Sequence, residues 1–333
     1  MENLKKWIED VISQKSRLAI PIMTHPGIEL IGKTVRETVT SGEVHYQAIK
    51  ALNDTYPAAA CTVIMDLTVE AEAFGAEVNF PEDDIPTVIG RLVSDEESVK
   101  NLKVPDIAAA RVPEYLLANK LASENIKDKP VFSGMIGPCS LAGRLYDMSE
   151  FMMACYCEPE VAEMLLEKCT EFLIKYCKAL KATGADGVVL AEPAAGLMSN
   201  DGCSEFSSKY IKEIVDAVQD DTFIVILHNC GNGGHCTSAT VESGAAAYHF
   251  GNKIDMVEAL KGCPADSLVM GNLDPVTVLQ QASPEEVRNA TMELLKATAE
   301  YLNFIISTGC DVPPHTSHDN IKAFYSAIEE YNK

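Results

Sequence analysis

The feature that most constrains the fold of this chain is an alternation that repeats eight times: a short apolar segment, a loop rich in glycine, proline or polar residues, and a helical pattern. Several apolar segments run without alternating polar residues, as is typical of parallel strands covered on both faces. Eight such units predict an α/β fold, a single (β/α)8 TIM barrel rather than a doubly wound sheet. The predicted strands are residues 18–23, 60–66, 131–137, 187–192, 223–228, 245–250, 267–272 and 303–308.

Helices are predicted between these strands. Residues 160–184 carry apolar side chains at three- and four-residue spacing, which favours a helix with one buried face. Ser283 and Glu286 predict a capping box at the start of a second helix, and Ser94 and Glu97 predict the same box for a third.

No linker-like or repetitive tract interrupts the alternation, so residues 1–333 are predicted to form one domain, with residues 24–59 and 67–130 as insertions in its N-terminal part. The 27 basic and 49 acidic residues give a net charge of −22, which argues against nucleic acid and anionic membranes as partners. No apolar run reaches about 18 residues, and no secretory signal precedes the eleven cysteines. We therefore expect a cytoplasmic protein with reduced thiols, and a homo-oligomer is compatible with these data.

Polar side chains recur where the predicted strands end. Because the active sites of TIM barrels lie at the C-terminal ends of the strands, these residues are candidates for one shared site. In chain order they are His25, Asp66, Glu192, His228, Cys230, His249, Asn272 and Cys310.

Three of these residues suggest a metal. His228 and Cys230 end the fifth predicted strand and Cys310 follows the eighth, so one imidazole and two thiolates face one central well. Three protein ligands with a fourth position left over are typical of catalytic zinc, and sulfur ligands favour zinc over magnesium or calcium. The alternative is that these cysteines are small apolar core residues, as is expected of the helical positions Cys155, Cys157, Cys169 and Cys177. A closed site of four Cys or His ligands would instead indicate a structural or regulatory metal.

The segments "HNCGN", "GNLDPVTVL" and "GCDVPPHTSHDNIKAF" resemble the uroporphyrinogen decarboxylase superfamily. Within it they are most similar to the zinc-dependent corrinoid methyltransferases of the methylcobamide:coenzyme M type. The resemblance implies that His228, Cys230 and Cys310 bind zinc, and that a methyl group moves between a corrinoid and a small thiol by attack of a zinc-bound thiolate. Since the chain has no D-x-H-x-x-G cobalamin motif, the corrinoid is expected on a separate corrinoid protein.

Roles can also be predicted for the remaining residues at the strand ends. Glu192 is the candidate catalytic residue, as a proton acceptor for the thiol, a fourth ligand or an anchor for a ligand. Asn272, Asp66 and His25 are candidate substrate-binding residues. The "GNGGH" loop after Cys230 offers backbone amides that could hold an anion.

Two alternatives stay open at this point. The transfer could run in the opposite direction, from a small methylated donor to a corrinoid protein. The chain could also be a decarboxylase, although "IPIMTHPGIELIGKTVRE" lacks the arginine cluster with which those enzymes bind a porphyrinogen, and only six arginines are present in all.

Overall fold

The computed structural model describes residues 3–63 and 65–333, and its centre is a curled parallel sheet of seven strands in the order β1-β4-β5-β6-β7-β8-β9. The other two strands, β2 and β3, form an antiparallel hairpin. The strands are β1 (Cys61–Thr62), β2 (Glu77–Asn79), β3 (Thr87–Ile89), β4 (Val131–Ile136), β5 (Gly187–Ala191), β6 (Ile224–Asn229), β7 (Ala247–Phe250), β8 (Leu268–Leu273) and β9 (Phe304–Thr308).

Residues 18–22 close this sheet into a TIM barrel. Ala19 forms a parallel bridge with Ile306 of β9, and the amide of Ala59, just before β1, donates to the carbonyl of Ala19 over 2.9 Å. The segment takes the place of the first predicted strand, but it does not form a continuous ladder. Pro21 lies in its middle and has no N–H to donate. We refer to residues 18–22, with their contacts to Ala59 and β9, as the seam.

The predicted barrel is confirmed, and the last six predicted strands match β4 to β9 within two residues at each end. The second predicted strand, 60–66, is longer than the two-residue β1, and Ile64 lies outside the described residues. The hairpin of β2 and β3 lies within the insertion 67–130, where no strand was predicted.

The helices pack around the strands, and the described residues contain none that is long and apolar enough to cross a membrane. They are α1 (Leu4–Ser13), α2 (His25–Leu30), α3 (Val35–Val39), α4 (Gly42–Thr55), α5 (Val69–Phe74), α6 (Glu96–Asn101), α7 (Val112–Asn125), α8 (Pro138–Tyr146), α9 (Met148–Cys157), α10 (Pro159–Ala182), α11 (Asn200–Cys203), α12 (Lys209–Val218), α13 (Thr237–Glu242), α14 (Met256–Gly262), α15 (Pro284–Ala297) and α16 (His318–Tyr331).

Two of the three predicted helix signals are confirmed. Helix α10 covers residues 159–182, and the capping box of Ser283 and Glu286 opens α15. The predicted box of Ser94 and Glu97 is wrong by one residue, since Asp95 caps α6 and exchanges hydrogen bonds with Ser98. The prediction failed because two adjacent residues, Ser94 and Asp95, are both good N-caps.

Both faces of the central strands are buried, as their apolar sequences predict. On β5, Val188 and Leu190 join the outer layer that packs against the helices, whereas Val189 points into the barrel. Helix α1 covers the end of the barrel opposite the candidate site, because its buried Leu4, Ile8 and Val11 belong to the same inner cluster as Val189. Because α1 covers that end, the open mouth of the barrel lies at the C-terminal ends of the strands.

Candidate metal centre

The structure brings the three predicted ligands together at the mouth of the barrel. His228 lies near the end of β6, Cys230 follows that strand directly, and Cys310 follows β9. One ligand atom from each residue lies within 4.8 Å of the other two. Among the described residues this is the one group of at least three His, Cys, Asp or Glu side chains with such a spacing. The group has three members, so a bound ion would keep a position for a further ligand.

The donor atoms fit a soft cation. Nε2 of His228 is buried beside the Cys310 sulfur and has no nitrogen or oxygen partner among the described residues, and such an atom is costly to bury unless something binds it. The hydrogen bond from the Cys310 thiol lowers the pKa of Cys230 below its ordinary value. The same bond, together with burial, raises the pKa of Cys310. This contact therefore eases the loss of the proton from Cys230, and a divalent cation would displace the protons of both thiols.

The other nitrogen of His228 is fixed by a chain of buried groups. Nδ1 of His228 lies 2.8 Å from Nδ1 of His249 on β7, because the register pairs these two residues across the strands. Nε2 of His249 lies 2.7 Å from the hydroxyl of Ser307 on β9. Burial lowers the pKa of His249 well below its ordinary value, so this imidazole is neutral at pH 7.

The loop that carries Cys230 is held by close backbone packing. A Cβ atom on Gly251 would come within 2.7 Å of Cα of Cys230, and a Cβ on Gly196 would run into the backbone of Gly231. Neither position has room for a side chain, so the loops after β5, β6 and β7 pack tightly against one another. This packing fixes the position of the Cys230 sulfur relative to His228.

Part of the predicted anion site in the "GNGGH" loop is already filled by side chains of the loop itself. Oδ1 of Asn232 accepts from the amides of Gly234 and Cys236 at 2.8 and 3.3 Å, and Oδ1 of Asn229 accepts from the amide of Asn232 at 3.1 Å. The two asparagines therefore order the loop, and these three amides are not available to an anion.

Glu192, the predicted catalytic residue, is buried and only 1% exposed. Its two oxygens accept from the amides of Cys139 and Ser140 at 3.0 and 2.6 Å, at the start of α8. Burial raises the pKa of Glu192 to about 7, against the opposing effect of the Ser140 hydrogen bonds. Glu192 does not belong to the ligand group, and its role stays a prediction.

His25 lies behind Cys310 and holds the loop that carries it. Nδ1 of His25 is 3.4 Å from Oδ2 of Asp311, and the hydroxyl of Thr24 donates to the same oxygen over 2.8 Å. Burial lowers the pKa of His25, but the charge and hydrogen bond of Asp311 outweigh it and raise the pKa above its ordinary value. These contacts give His25 a partner within the protein.

Asp66 belongs to a buried ion pair. Its Oδ2 accepts from the Arg111 guanidinium at 2.6 Å and from the hydroxyl of Tyr115 at 3.0 Å, while its Oδ1 accepts from Thr68. Arg111 also pairs with Glu72. A substrate would reach Asp66 only by displacing one of these bonds.

Asn272, the third predicted substrate-binding residue, orders a loop. Its side-chain amide donates to the carbonyls of Gly251 and Ile254 at 3.0 and 2.7 Å, and so it holds the loop that follows β7. Of the cysteines predicted to be buried in helices, Cys155, Cys169 and Cys177 are buried, but Cys157 is exposed at the end of α9.

Several residues near the site had no assigned role in the sequence analysis. Ser307 and Arg111 gave no local signal, because their partners lie 58 and 45 residues away along the chain. Asp311 is different, since it stands beside Cys310 in the quoted "GCD" segment. An acidic residue next to a metal ligand is a signal that could have found it.

The comparisons with known proteins agree with this architecture. The family model described as uroporphyrinogen decarboxylase (URO-D) matches residues 17–331. The methylcobamide:CoM methyltransferase MtbA of Methanosarcina mazei is 29% identical over 276 residues, covering 82% of this chain and 80% of that protein. The uroporphyrinogen decarboxylase of Coxiella burnetii is 25% identical over 288 residues, covering 83% and 78% of the two chains.

Among solved structures, one described as a methyltransferase from Methanosarcina mazei aligns over the whole of both chains with a TM-score of 0.89 and 22% identity. This likeness supports the barrel fold. The family match covers almost the full length of the sequence, so the predicted resemblance is confirmed: the chain belongs to the uroporphyrinogen decarboxylase (URO-D) family.

Proposed function

We propose that this protein is a zinc-dependent methyltransferase that moves a methyl group between a corrinoid, carried by a separate corrinoid protein, and a small thiol. The observation that carries the proposal is the group of His228, Cys230 and Cys310, whose ligand atoms lie within 4.8 Å of one another. The names of relatives such as the methylcobamide:CoM methyltransferase MtbA support the corrinoid and the thiol.

The side chains of the site fit this chemistry. Zinc would supply a Lewis acid that deprotonates a bound thiol near neutral pH and keeps its sulfur nucleophilic. Cys230 and Cys310 provide two negative charges and His228 provides none, so the ligand set matches a divalent cation. Glu192 lies buried at the same mouth, directly after β5, which is the strand next to β6, and we assign it the proton that the incoming thiol loses. In the transfer, a carbon–sulfur bond forms as the cobalt–carbon bond breaks, and the electron pair stays on cobalt.

A decarboxylase is the weaker alternative, although one relative carries that name. To bind the carboxylates of a porphyrinogen, a decarboxylase needs free cationic side chains at the mouth of the barrel. Arg17 instead donates to the carbonyls of residues 298, 299 and 301, and Arg36 is exposed and pairs with Glu82. Arg111 is already engaged by Asp66. These three arginines therefore already have partners within the protein, and Arg144 lies near the carboxylates of Asp66 and Glu70.

The first experiment measures zinc by elemental analysis in the wild type, in Cys310→Ala and in Cys263→Ala. Cys263 is a matched control, since it is also partly buried and lies outside the ligand group. We expect about one zinc per chain in the wild type and the control, and a loss of zinc in Cys310→Ala. A wild type without zinc after incubation with the metal would rule out the proposed function.

The second experiment tests the reaction with methylcobalamin and coenzyme M, followed by the absorbance of cob(I)alamin. We expect transfer by the wild type and by Cys263→Ala but not by Cys310→Ala. A zinc-loaded wild type that methylates no thiol, yet methylates cob(I)alamin from a small methylated donor, would establish the opposite direction. Decarboxylation of uroporphyrinogen by the metal-stripped protein would support the decarboxylase instead.

A further inference from the structure

We propose that Lys253 is a specificity-determining residue, whose ammonium group binds the acidic group of a small thiol acceptor while the sulfur of that thiol lies at the candidate metal centre. This inference rests on the proposed function and deepens it, because it names a residue that selects the acceptor by charge. The acidic group is a sulfonate or a carboxylate, since both present negative oxygens to an ammonium group.

Lys253 is the one lysine or arginine in the loops that lead from the barrel strands to the helices after them. The same loops carry five carboxylates, so they are acidic like the chain as a whole, whose net charge is −22. An anion that binds among these loops therefore has a single cation to pair with. The loops are residues 23–24, 63–68, 137, 192–199, 230–236, 251–255, 274–283 and 309–317.

The loop that carries Lys253 lies between the two loops that carry the sulfur ligands. On one side, a Cβ atom on Gly251 would come within 2.7 Å of Cα of Cys230. On the other side, a Cβ atom on Gly309, which directly precedes the third ligand, would come within 2.7 Å of the backbone nitrogen of Asn252. Lys253 is the next residue along the chain, so these two contacts place it at the rim of the candidate metal centre.

The charge of Lys253 acts on the nearest part of this centre. The hydrogen bond from the Cys310 thiol is the main cause of the lowered pKa of Cys230, and the positive charge of Lys253 acts in the same direction, against the effect of burial. Salt screens exposed charges beyond about 10 Å, so this effect agrees with the position that the backbone contacts give to Lys253. A small molecule can therefore reach both the ammonium group and the sulfurs.

The ammonium group of Lys253 has no partner within the described part of the chain. Lys253 is exposed, and no hydrogen bond or ion pair joins its side chain to another described residue. The two carboxylates of neighbouring loop positions are bonded elsewhere. Oδ1 of Asp255 accepts from two amides at the start of α14 at 2.8 and 3.1 Å, and Oδ2 of Asp274 accepts from the side-chain amide of Asn252 at 2.8 Å. The charge of Lys253 is thus available to a ligand.

A single ammonium group suits an acceptor with a single acidic group. Lysine carries a compact positive charge on a flexible stem, so it can follow ligands of different lengths. A porphyrinogen has several carboxylates and would need several such cations, so this feature favours a small thiol. Because the chain as a whole repels anions, the attraction by Lys253 would decide whether an acidic thiol binds better than a neutral one.

The first test titrates the zinc-loaded protein with three thiols of equal length in a calorimeter, without any corrinoid, so that binding is measured apart from methyl transfer. The thiols are coenzyme M (2-mercaptoethanesulfonate), 2-mercaptoethanol and cysteamine, whose other ends are negative, neutral and positive. We expect Lys253→Ala to weaken the binding of coenzyme M roughly 3- to 10-fold and that of 2-mercaptoethanol less than about 2-fold. Lys253→Glu should bind cysteamine better than coenzyme M.

Lys15→Ala is the matched control. Lys15 is also exposed and without a partner among the described residues, and it follows α1 at the end of the barrel which that helix covers. The control removes the same charge from the chain and should leave the binding of all three thiols unchanged. An equal loss for all three thiols in Lys253→Ala would overturn the proposal, and so would a loss of coenzyme M binding in Lys15→Ala as large as that in Lys253→Ala.

The second test separates the thiol from the corrinoid, whose nucleotide carries a phosphate, as the source of the acidic group. Lys253→Ala should raise the KM for coenzyme M and leave the KM for methylcobalamin unchanged, and the reverse result would overturn the proposal. A zinc-loaded wild type that binds coenzyme M no better than 2-mercaptoethanol would reject this inference alone. A wild type that takes up no zinc would reject the proposed function, and this inference with it.

Discussion

Glu70 is a buried carboxyl group whose replacement should stabilise the protein, and more so as the pH rises. It is 1% exposed on α5, its Oε1 accepts from the amide of Ile136 at 3.0 Å, and its Oε2 has no partner among the described residues. Burial raises the pKa of Glu70 from 4.5 to about 7, against the opposing hydrogen bond from Ile136. The folded protein therefore holds a proton on Glu70 that the unfolded chain releases near pH 4.5.

The sign of the effect follows from linkage. Because the folded-state pKa is above the unfolded one, the stability associated with this proton is fully present below pH 4.5 and is lost as the pH rises through 7. A pKa difference of this size corresponds to about 3 kcal/mol in total, of which about 2 kcal/mol falls between roughly pH 5.5 and 8.5. Glu70→Gln keeps an acceptor for Ile136 and removes the titration.

The assay is urea unfolding of the wild type and Glu70→Gln at pH 5.5 and 8.5. We expect Glu70→Gln to be the more stable protein, with an advantage that grows by about 2 kcal/mol over this interval. The chain carries a net charge of −22, so the loss of any negative charge relieves some repulsion. Exposed Glu97→Gln measures that general effect and should change stability by less than ~0.5 kcal/mol. A pH-independent difference between Glu70→Gln and the wild type would refute the reasoning.

Three further predictions concern the mouth of the barrel. Arg111→Met should cost about 3–5 kcal/mol in urea unfolding, because Asp66 is left buried without its cation, and the same change should cost much less in an Asp66→Asn background. Gly196→Ala should lower both the melting temperature and the zinc content, since its Cβ displaces Gly231 beside Cys230; unchanged zinc content would show that the two loops move independently. If Glu192 accepts the thiol proton, kcat/KM should rise with pH through about 7, and Glu192→Gln should abolish this rise while zinc is retained.

The three predicted metal ligands could be found in the sequence because each lies at or just after the end of a predicted strand. His228 and Cys230 are two residues apart at the end of an apolar run, and the TIM barrel directs all such ends to one mouth. Cys310 follows another strand by the same rule, so its distance along the chain is no obstacle. The fold thus supplies the proximity that sequence spacing alone does not show.

The contacts that orient these ligands could not be predicted. The His228–His249 contact depends on the register between β6 and β7, which the sequence of neither strand specifies. The substrate-binding roles expected for Asp66 and Asn272 from their positions alone stay predictions. In the structure, both side chains form hydrogen bonds with partners within the protein. A polar residue at a strand end can bind a substrate or order a loop, and the choice depends on distant partners such as Arg111.

The seam described above links the stability of the barrel to the binding of a cation at its mouth. Its backbone ladder is short: Ile20 and Ile306 donate one bond each across it, to Ile306 and Leu18, and Ala59 donates one from the other side. Local opening of a protein begins where such ladders are weakest. His228 lies three strands away from β9 in the continuous sheet, whereas Cys310 follows β9 at the seam.

A cation bound by both residues would therefore cross-link the middle of the sheet to its last strand. Since a ligand that binds only the closed form stabilises that form by mass action, opening of the seam becomes rarer as the metal binds. The amides of Ile20 and Ile306 should then exchange with deuterium more slowly in the loaded protein. Two backbone groups in the wall of the barrel would thus report whether the site at its mouth is filled.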